Sequence, residues 1–157
     1  MNMEAGRSFS FVFLSGESAV RAALKRMTGA LEDLDLTREE IGMSEMVLGE
    51  VLNNVVEHAY GAHRSGPIEL RCRRLRGAVR FRVRDRGTEM PRLSLPNGGL
   101  PPMGNTLADL PEGGFGWHLV HSLARDLSYQ RADGVNELCL TIPCQDAGRP
   151  NSDRVFS

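Results

Sequence analysis

Three groups of residues in this sequence could do chemistry. Within Gly49 to Tyr60, GEVLNNVVEHAY, the polar residues Glu50, Asn54 and His58 recur at i, i+4 and i+8, with Asn53 and Glu57 beside them. On a helix that spacing stacks the three along one stripe. A carboxylate, an amide and an imidazole then share a face, although spacing alone also fits a helix with one solvated side. In the second group, AVRFRVRD ends at Asp85-Arg86-Gly87. A carboxylate stands at a strand terminus where glycine admits another backbone or a ligand, and the same triplet also suits a plain strand-to-loop turn. The third group, EGGFGWHLVHSLARDLSY from Glu112 to Tyr129, sets Gly113, Gly114 and Gly116 at a helix start. Free amides and the helix dipole there favour an anion such as phosphate. A flexible hinge has the same composition, and no lysine follows the glycines as a P-loop requires.

The elements that must position these groups follow from periodicity. Ser8 to Leu14 alternates as a strand, and Glu17 to Leu34 has helical spacing through Val20, Leu24, Met27 and Leu31 after a cap at Ser15 or Ser18. Thr37 with Glu40 forms a capping-box signature. Ile41, Met46, Val47, Val51, Val55 and Ala59 carry one helix from there to about Tyr60. IELRCRRL and AVRFRVRD make a hairpin turned at Arg76-Gly77, with Ile68, Leu70, Cys72, Val79, Phe81 and Val83 on its inner face. Its arginines, Arg71, Arg73, Arg74, Arg80, Arg82 and Arg84, face outward. From about 88 to 113 prolines and glycines break every period, which marks a lid. Helical spacing returns over Gly116 to Leu127, and LSYQ and NELCLTIP close the domain as a second hairpin around Ala132-Asp133-Gly134. Residues 1–144 are expected to form one domain and 145–157 a disordered tail. Paired hairpins, in place of alternating strands and helices, imply an α+β two-layer sandwich. Its sheet is mixed, mainly antiparallel, and covered on one face by three helices.

Composition narrows the function classes. The 157 residues carry 41% hydrophobic and 25% charged residues and a formal net charge of -1, so no global charge draws the chain to nucleic acid or membrane. The outward arginines have no interleaved aromatics to stack bases, and charge on an open sheet face serves solubility. Direct nucleic-acid binding is not expected. Cys72, Cys139 and Cys144 form no C-x-x-C pair, which fits buried thiols in a reducing compartment and opposes a structural zinc site. No run approaches the ~20 apolar residues of a membrane span, and the expected location is cytoplasmic.

Taken together, E-V-L-N-N-V-V-E-H-A-Y, then D-R-G, then G-G-F-G-W-H-L-V-H-S-L-A-R-D-L-S-Y resemble the N, G1 and G2 boxes of the Bergerat-fold, GHKL-type ATPases. That superfamily includes gyrase, the heat-shock chaperone ATPase, histidine kinases and the mismatch-repair ATPase. The likeness runs from about Phe9 to Pro143. Small size, a short lid and the closing strand N-E-L-C-L-T-I-P are most similar to its branch of bacterial anti-sigma-factor serine kinases.

The resemblance implies ATP and Mg²⁺ as cofactors and assigns roles by position. Asn54 matches the magnesium ligand, with an oxygen suited to a hard cation. Glu50 matches the general base, able to take a proton from water or from a partner's serine. Asp85 matches the carboxylate that accepts from adenine's amino group, while Gly87 makes room for the ring. Gly114 and Gly116 match glycines whose amides meet phosphate oxygens, with Gly113 adding flexibility. His58 matches a recurrent position that touches the phosphates or ties the helix end to the next loop, the second being favoured. Two departures stand out. Glu112 replaces a basic residue found before the glycines in many relatives, with Arg92 of the lid as its substitute. Asn136 or Glu137 replaces a hydroxyl that relatives place near the phosphates. The function implied is a serine-protein kinase that binds a sigma factor and phosphorylates an anti-sigma antagonist, with a homodimer through the first strand. The alternatives are a non-catalytic adaptor gated by nucleotide and, last, a detached sensor-kinase domain acting on histidine.

Overall fold

Alternation of aromatic and small polar residues decides the first element. In β1 (Ser8–Leu14) Phe11 is buried and Phe9 and Phe13 pack beside it, while Ser8 and Ser10 are exposed. A computed structural model describes residues 7–96 and 114–146 of the chain. Its sheet is completed by β2 (Pro67–Leu75), β3 (Ala78–Asp85), β4 (Arg125–Ala132) and β5 (Val135–Pro143), in the order β1-β2-β3-β5-β4. The sheet, expected as mixed and mainly antiparallel, is antiparallel at every pairing among the described residues. Both hairpins turn where expected, at Gly77 and at Asp133-Gly134, whose positive φ angles of 69°, 51° and 76° close tight reversals.

One sheet face is apolar through Ile68, Leu70, Cys72, Val79, Phe81, Val83, Leu138, Leu140 and Ile142. Helices α1 (Glu17–Glu32), α2 (Arg38–Asn54) and α3 (Gly114–Leu123) complete one core with it. Val20, Ala23, Met27 and Leu31 are the buried stripe of α1. Its N-cap is Gly16, with no side-chain cap bond. Ser15 instead accepts from the Gly66 amide (3.2 Å), tying the end of β1 to the start of β2. The capping box of α2 is formed: the Glu40 amide donates to Thr37 Oγ1 (3.2 Å) and the Thr37 amide to Glu40 Oε2 (2.7 Å). The buried face of α2 runs through Val47, Leu48, Val51 and Leu52, and Met46, expected on that face, is 49% exposed.

Three boundaries differ from the sequence reading. The helix expected to run to Tyr60 changes after Asn54 into a π-helix, Val55–Tyr60. There the Ala59 carbonyl accepts from the Thr88 amide (2.7 Å), and the Gly61 amide reaches back five residues to Val56 (3.0 Å). The Thr88 amide thus pairs one of the last-turn carbonyls that a helix end leaves open, while the Gly61 bond closes the wider turn. Helix α3 stops at Leu123 and not Leu127, because β4 begins at Arg125 and a left-handed Asp126 (φ 52°) forms the irregularity between Arg125 and Ser128. Arg74 leaves the outward strip: it lies on the Cys72 side of β2 and donates to the Ala78 carbonyl (3.1 Å), contacting Cys144 and the Gln145 carbonyl. Gln145 and Asp146 are tied down, the first through its amide to Glu40 Oε1 (2.6 Å), the second by accepting from the Gly77 amide. Residues 147–157 of the expected tail lie outside the described residues.

Candidate active site

The π-helix and the end of β3 form the floor of a cleft of about 810 Å³, with the segment after Gly87 and α3 as its walls. Glu50, Asn54, His58, Asp85, Met90, Trp117 and Asn136 line it. Residues from three separate stretches of sequence therefore meet at one place.

Asp85 is its most constrained carboxylate. The last residue of β3, it is 5% exposed. Its Oδ1 accepts from the Gly87 amide (2.9 Å) and from Asn136 Nδ2 (2.8 Å). Both bonds use one oxygen, so Oδ2 has no protein donor among the described residues and is left for the cleft. Burial raises the carboxyl above its ordinary value, opposed by the donors from Asn136 and Gly87 and by the charge of Arg131.

Gly87 has a packing reason for being glycine. A Cβ there would overlap the backbone and side chain of Ala59, so the close approach expected for a ligand ring is made here by the π-helix. Tyr60 ends that helix, donating to the Pro67 carbonyl (2.7 Å) and accepting from the Arg86 amide (2.9 Å). The tie to the following loop that favoured His58 is thus made by Tyr60. His58 lines the cleft with its side chain 72% exposed, and its contact is with Glu57 of the same turn at 3.9 Å. The widened turn also ends the regular i, i+4 phase that would have stacked His58 on Asn54.

Glu50 is exposed on α2 and Asn54 is half-buried at its last turn. A Cβ at Gly116 would overlap the Glu50 carboxylate, so the first and third sequence groups touch at this pair. Gly114 is the first residue of α3, and Gly113 and Glu112 lie outside the described residues. Arg92 sits in the turn Pro91–Leu93 with left-handed φ of 56°, exposed and outside the lining of the cleft, so among the described residues it supplies no phosphate clamp.

Asn136, expected with Glu137 as the alternative to replace a hydroxyl near the phosphates, pairs directly across the sheet with Asp85 and is 3% exposed. Its carbonyl accepts from Tyr129 Oη (2.7 Å) and Arg131 (2.7 Å), and Tyr129 Oη in turn accepts from the Met90 amide (2.9 Å). Tyr129, Tyr60 and Trp117 lie inside the motif segments, but the motifs assign them no role. The hairpin register, counted forward from Gly134 and across to β3, is the clue that could have placed Asn136.

The residues suit a metal-bound nucleotide. The described part of the lining carries Glu50, Glu57, Asp85 and Glu89 and no Lys or Arg, so a polyphosphate fits here with a cation and not alone. Asn54 offers one neutral oxygen, and no group of three or more His, Cys, Asp or Glu among the described residues would hold a metal by itself. That is the sparse protein ligation Mg²⁺ accepts when phosphates and water supply the remainder.

A family model described as the histidine kinase-like ATPase domain matches residues 14–142. A serine/threonine-protein kinase of Bordetella bronchiseptica, BtrW, is 38% identical over 93 residues, which is 59% of this chain and 63% of that kinase. The match thus spans under two thirds of the relative's length. The crystal structure of the RsbU and RsbW domains of a Mycobacterium tuberculosis protein superposes with a TM-score of 0.60 at 18% identity, over 91% of this chain and 34% of that one. A blue-light activated histidine kinase of Erythrobacter litoralis superposes at 0.52 and 24% identity, over 78% and 41%. These two structures share the fold. Among the described residues no helix is long and apolar enough to cross a membrane.

Proposed function

Because the chain belongs to the histidine kinase-like ATPase domain family, we propose that its cleft binds ATP with Mg²⁺ and that it is a serine-protein kinase acting on an anti-sigma antagonist while also holding a sigma factor. The observation that carries the reading is Asp85, a buried carboxylate with one oxygen fixed by two donors and the other left for the cleft, in the same cavity as Glu50 and Asn54.

In this reading Asp85 Oδ2 accepts the exocyclic amino group of adenine, a donor that guanine lacks at that position. The amide oxygen of Asn54 would hold the metal. Mg²⁺, when bound, supplies the positive charge that the described lining lacks. The amides of Gly114 and Gly116 meet phosphate oxygens at the start of α3. Glu50 accepts the proton of the acceptor serine as its oxygen bonds to the γ-phosphorus and the bond to the ADP oxygen breaks. Gly116, packed against the Glu50 carboxylate, keeps that base beside the phosphate-binding turn. Strand β1 is at the sheet edge with Val12 and Leu14 60% and 64% exposed, which supports pairing with a second copy.

Incubation of the protein with ATP, Mg²⁺ and a purified anti-sigma antagonist from the same genome tests the transfer. Acid-stable phosphoserine on the antagonist, lost with Glu50→Gln, is expected. ATP binding with no conversion would favour the adaptor, in which nucleotide shapes a partner surface. An acid-labile, base-stable product would point to histidine.

A further inference from the structure

Two observations beside Asp85 are not absorbed by the roles above: the orientation of its carboxylate is imposed from across the sheet, and the same side chain that imposes it also holds the chain leaving β3. Asn136 Nδ2 donates to Asp85 Oδ1 (2.8 Å), to the Thr88 carbonyl (3.0 Å) and more distantly to the Gly87 carbonyl (3.3 Å). Asn136 Oδ1 takes two donors, Tyr129 Oη and Arg131, each at 2.7 Å. These two donors fix which end of the amide is oxygen, because a flipped amide would turn its NH₂ toward a guanidinium that can only donate. Arg131 also donates to the Gly87 carbonyl (2.9 Å) and pairs with Glu89 at 3.5 Å, and Tyr129 Oη holds the Met90 amide at 2.9 Å. Residues 87–90 are thus bound from the β4–β5 hairpin by three side chains, with Asn136 central.

We propose that Asn136 is the positioning residue for base selection: by saturating Asp85 Oδ1 from a fixed amide, it leaves Oδ2 as the one acceptor that the six-position of a purine meets. The inference rests on the nucleotide reading of the cleft and deepens it. A carboxyl free to rotate and able to carry a proton could accept from a 6-amino group or, protonated, donate to a 6-oxo group. An ionised carboxylate with one oxygen already filled can only accept. Asn136 supplies the filled oxygen, and its donor opposes the rise that burial imposes on the carboxyl. Tyr129 acts one step further out: it holds Asn136 through one lone pair of the amide oxygen and Met90 through its own oxygen, so selection of the base and the path of residues 87–90 share one anchor.

The test compares ATP with inosine triphosphate, which has a 6-oxo group in place of the amino group, by calorimetric titration in Mg²⁺. Wild type, Asn136→Leu and Tyr129→Phe are used, each checked for folding by circular dichroism and thermal melting. Wild type is expected to prefer ATP. In Asn136→Leu the preference should fall about tenfold, through weaker ATP binding and not through stronger binding of both nucleotides. Tyr129→Phe keeps the ring and the fold and should lower the preference in the same direction by a smaller factor. It decides the matter should Asn136→Leu fail to fold. An ATP preference within twofold of wild type in a folded Asn136→Leu, or in Tyr129→Phe if that is the one that folds, overturns the proposal. Failure of wild type to bind either nucleotide overturns the nucleotide reading itself, and with it this inference.

Discussion

Replacing Asp85 by asparagine separates recognition from folding. In the protein Asp85 Oδ1 takes the Gly87 amide at 2.9 Å and Asn136 Nδ2 at 2.8 Å. An asparagine with its oxygen in that place keeps both bonds and the same volume, and removes a carboxylate that burial disfavours in its charged form. The fold therefore loses little, and the thermal midpoint should stay within about 4 °C of wild type. The other position, Oδ2, becomes an NH₂ group. It would face the adenine amino group, donor against donor, in place of a hydrogen bond to a charged acceptor. A bond of that kind contributes about 1.5–3 kcal/mol, so ATP affinity should fall roughly 10- to 150-fold. The assay is calorimetric titration of ATP with Mg²⁺ into both proteins, with a melting curve for each. A folded Asp85→Asn that binds ATP within twofold of wild type would refute the assignment of Oδ2 to the base.

Two glycines should respond to the same substitution with opposite signs. Gly87→Ala pushes a methyl group into the backbone of Ala59, where nothing flexible can yield, and should cost about 1–3 kcal/mol, read as a lower midpoint in urea or heat. Gly116→Ala meets only the end of the Glu50 side chain, so the helix should hold or gain up to about 1 kcal/mol. Phosphotransfer should drop because the base is displaced, and equal loss of stability in both variants would contradict the distinction. The Asp85 carboxyl also predicts a pH signature. Its folded value is raised above the ordinary 3.8, so the folded state holds its proton more tightly than the unfolded chain. The contribution of this group to stability is then most favourable in acid and declines as pH rises from about 3.8 through the raised value. ATP binding should run the other way, weakening as pH falls through that raised value. Asp85→Asn should lose both dependences, and an unchanged acid limb in its stability curve would show that another group is responsible.

Local signals account for most of the fold that was legible in the sequence. Thr37 and Glu40 announced the start of α2, and the turns at Gly77 and Asp133-Gly134 announced both hairpins. Alternation in β2 and β3 sorted inner from outer residues except at Arg74, whose parity places it on the inner face although its charge suggested the outer one. The π-helix was not legible, because Val55 to Tyr60 continues the apolar helical pattern and no residue type there marks the change to the wider turn. Long-range register explains the rest of what was missed at the site. Asp85, Asn54 and Glu50 could be found as motif residues, whereas Asn136 acquires its role only when Asp85 and Asn136 are seen as partners across β3 and β5. The end of α3 was misplaced for a similar reason: Leu127 continues the helical period, but the chain is already committed to pairing with β5.

The most direct test of the account is calorimetric titration of ATP into the wild-type protein with and without Mg²⁺, repeated with a folded Asn54→Ala. Saturable binding at one site, strengthened by Mg²⁺ in wild type and not in the variant, is the predicted result. Absence of binding at millimolar ATP, or a Mg²⁺ effect that survives loss of Asn54, would contradict the assignment of this cleft to a metal-bound nucleotide.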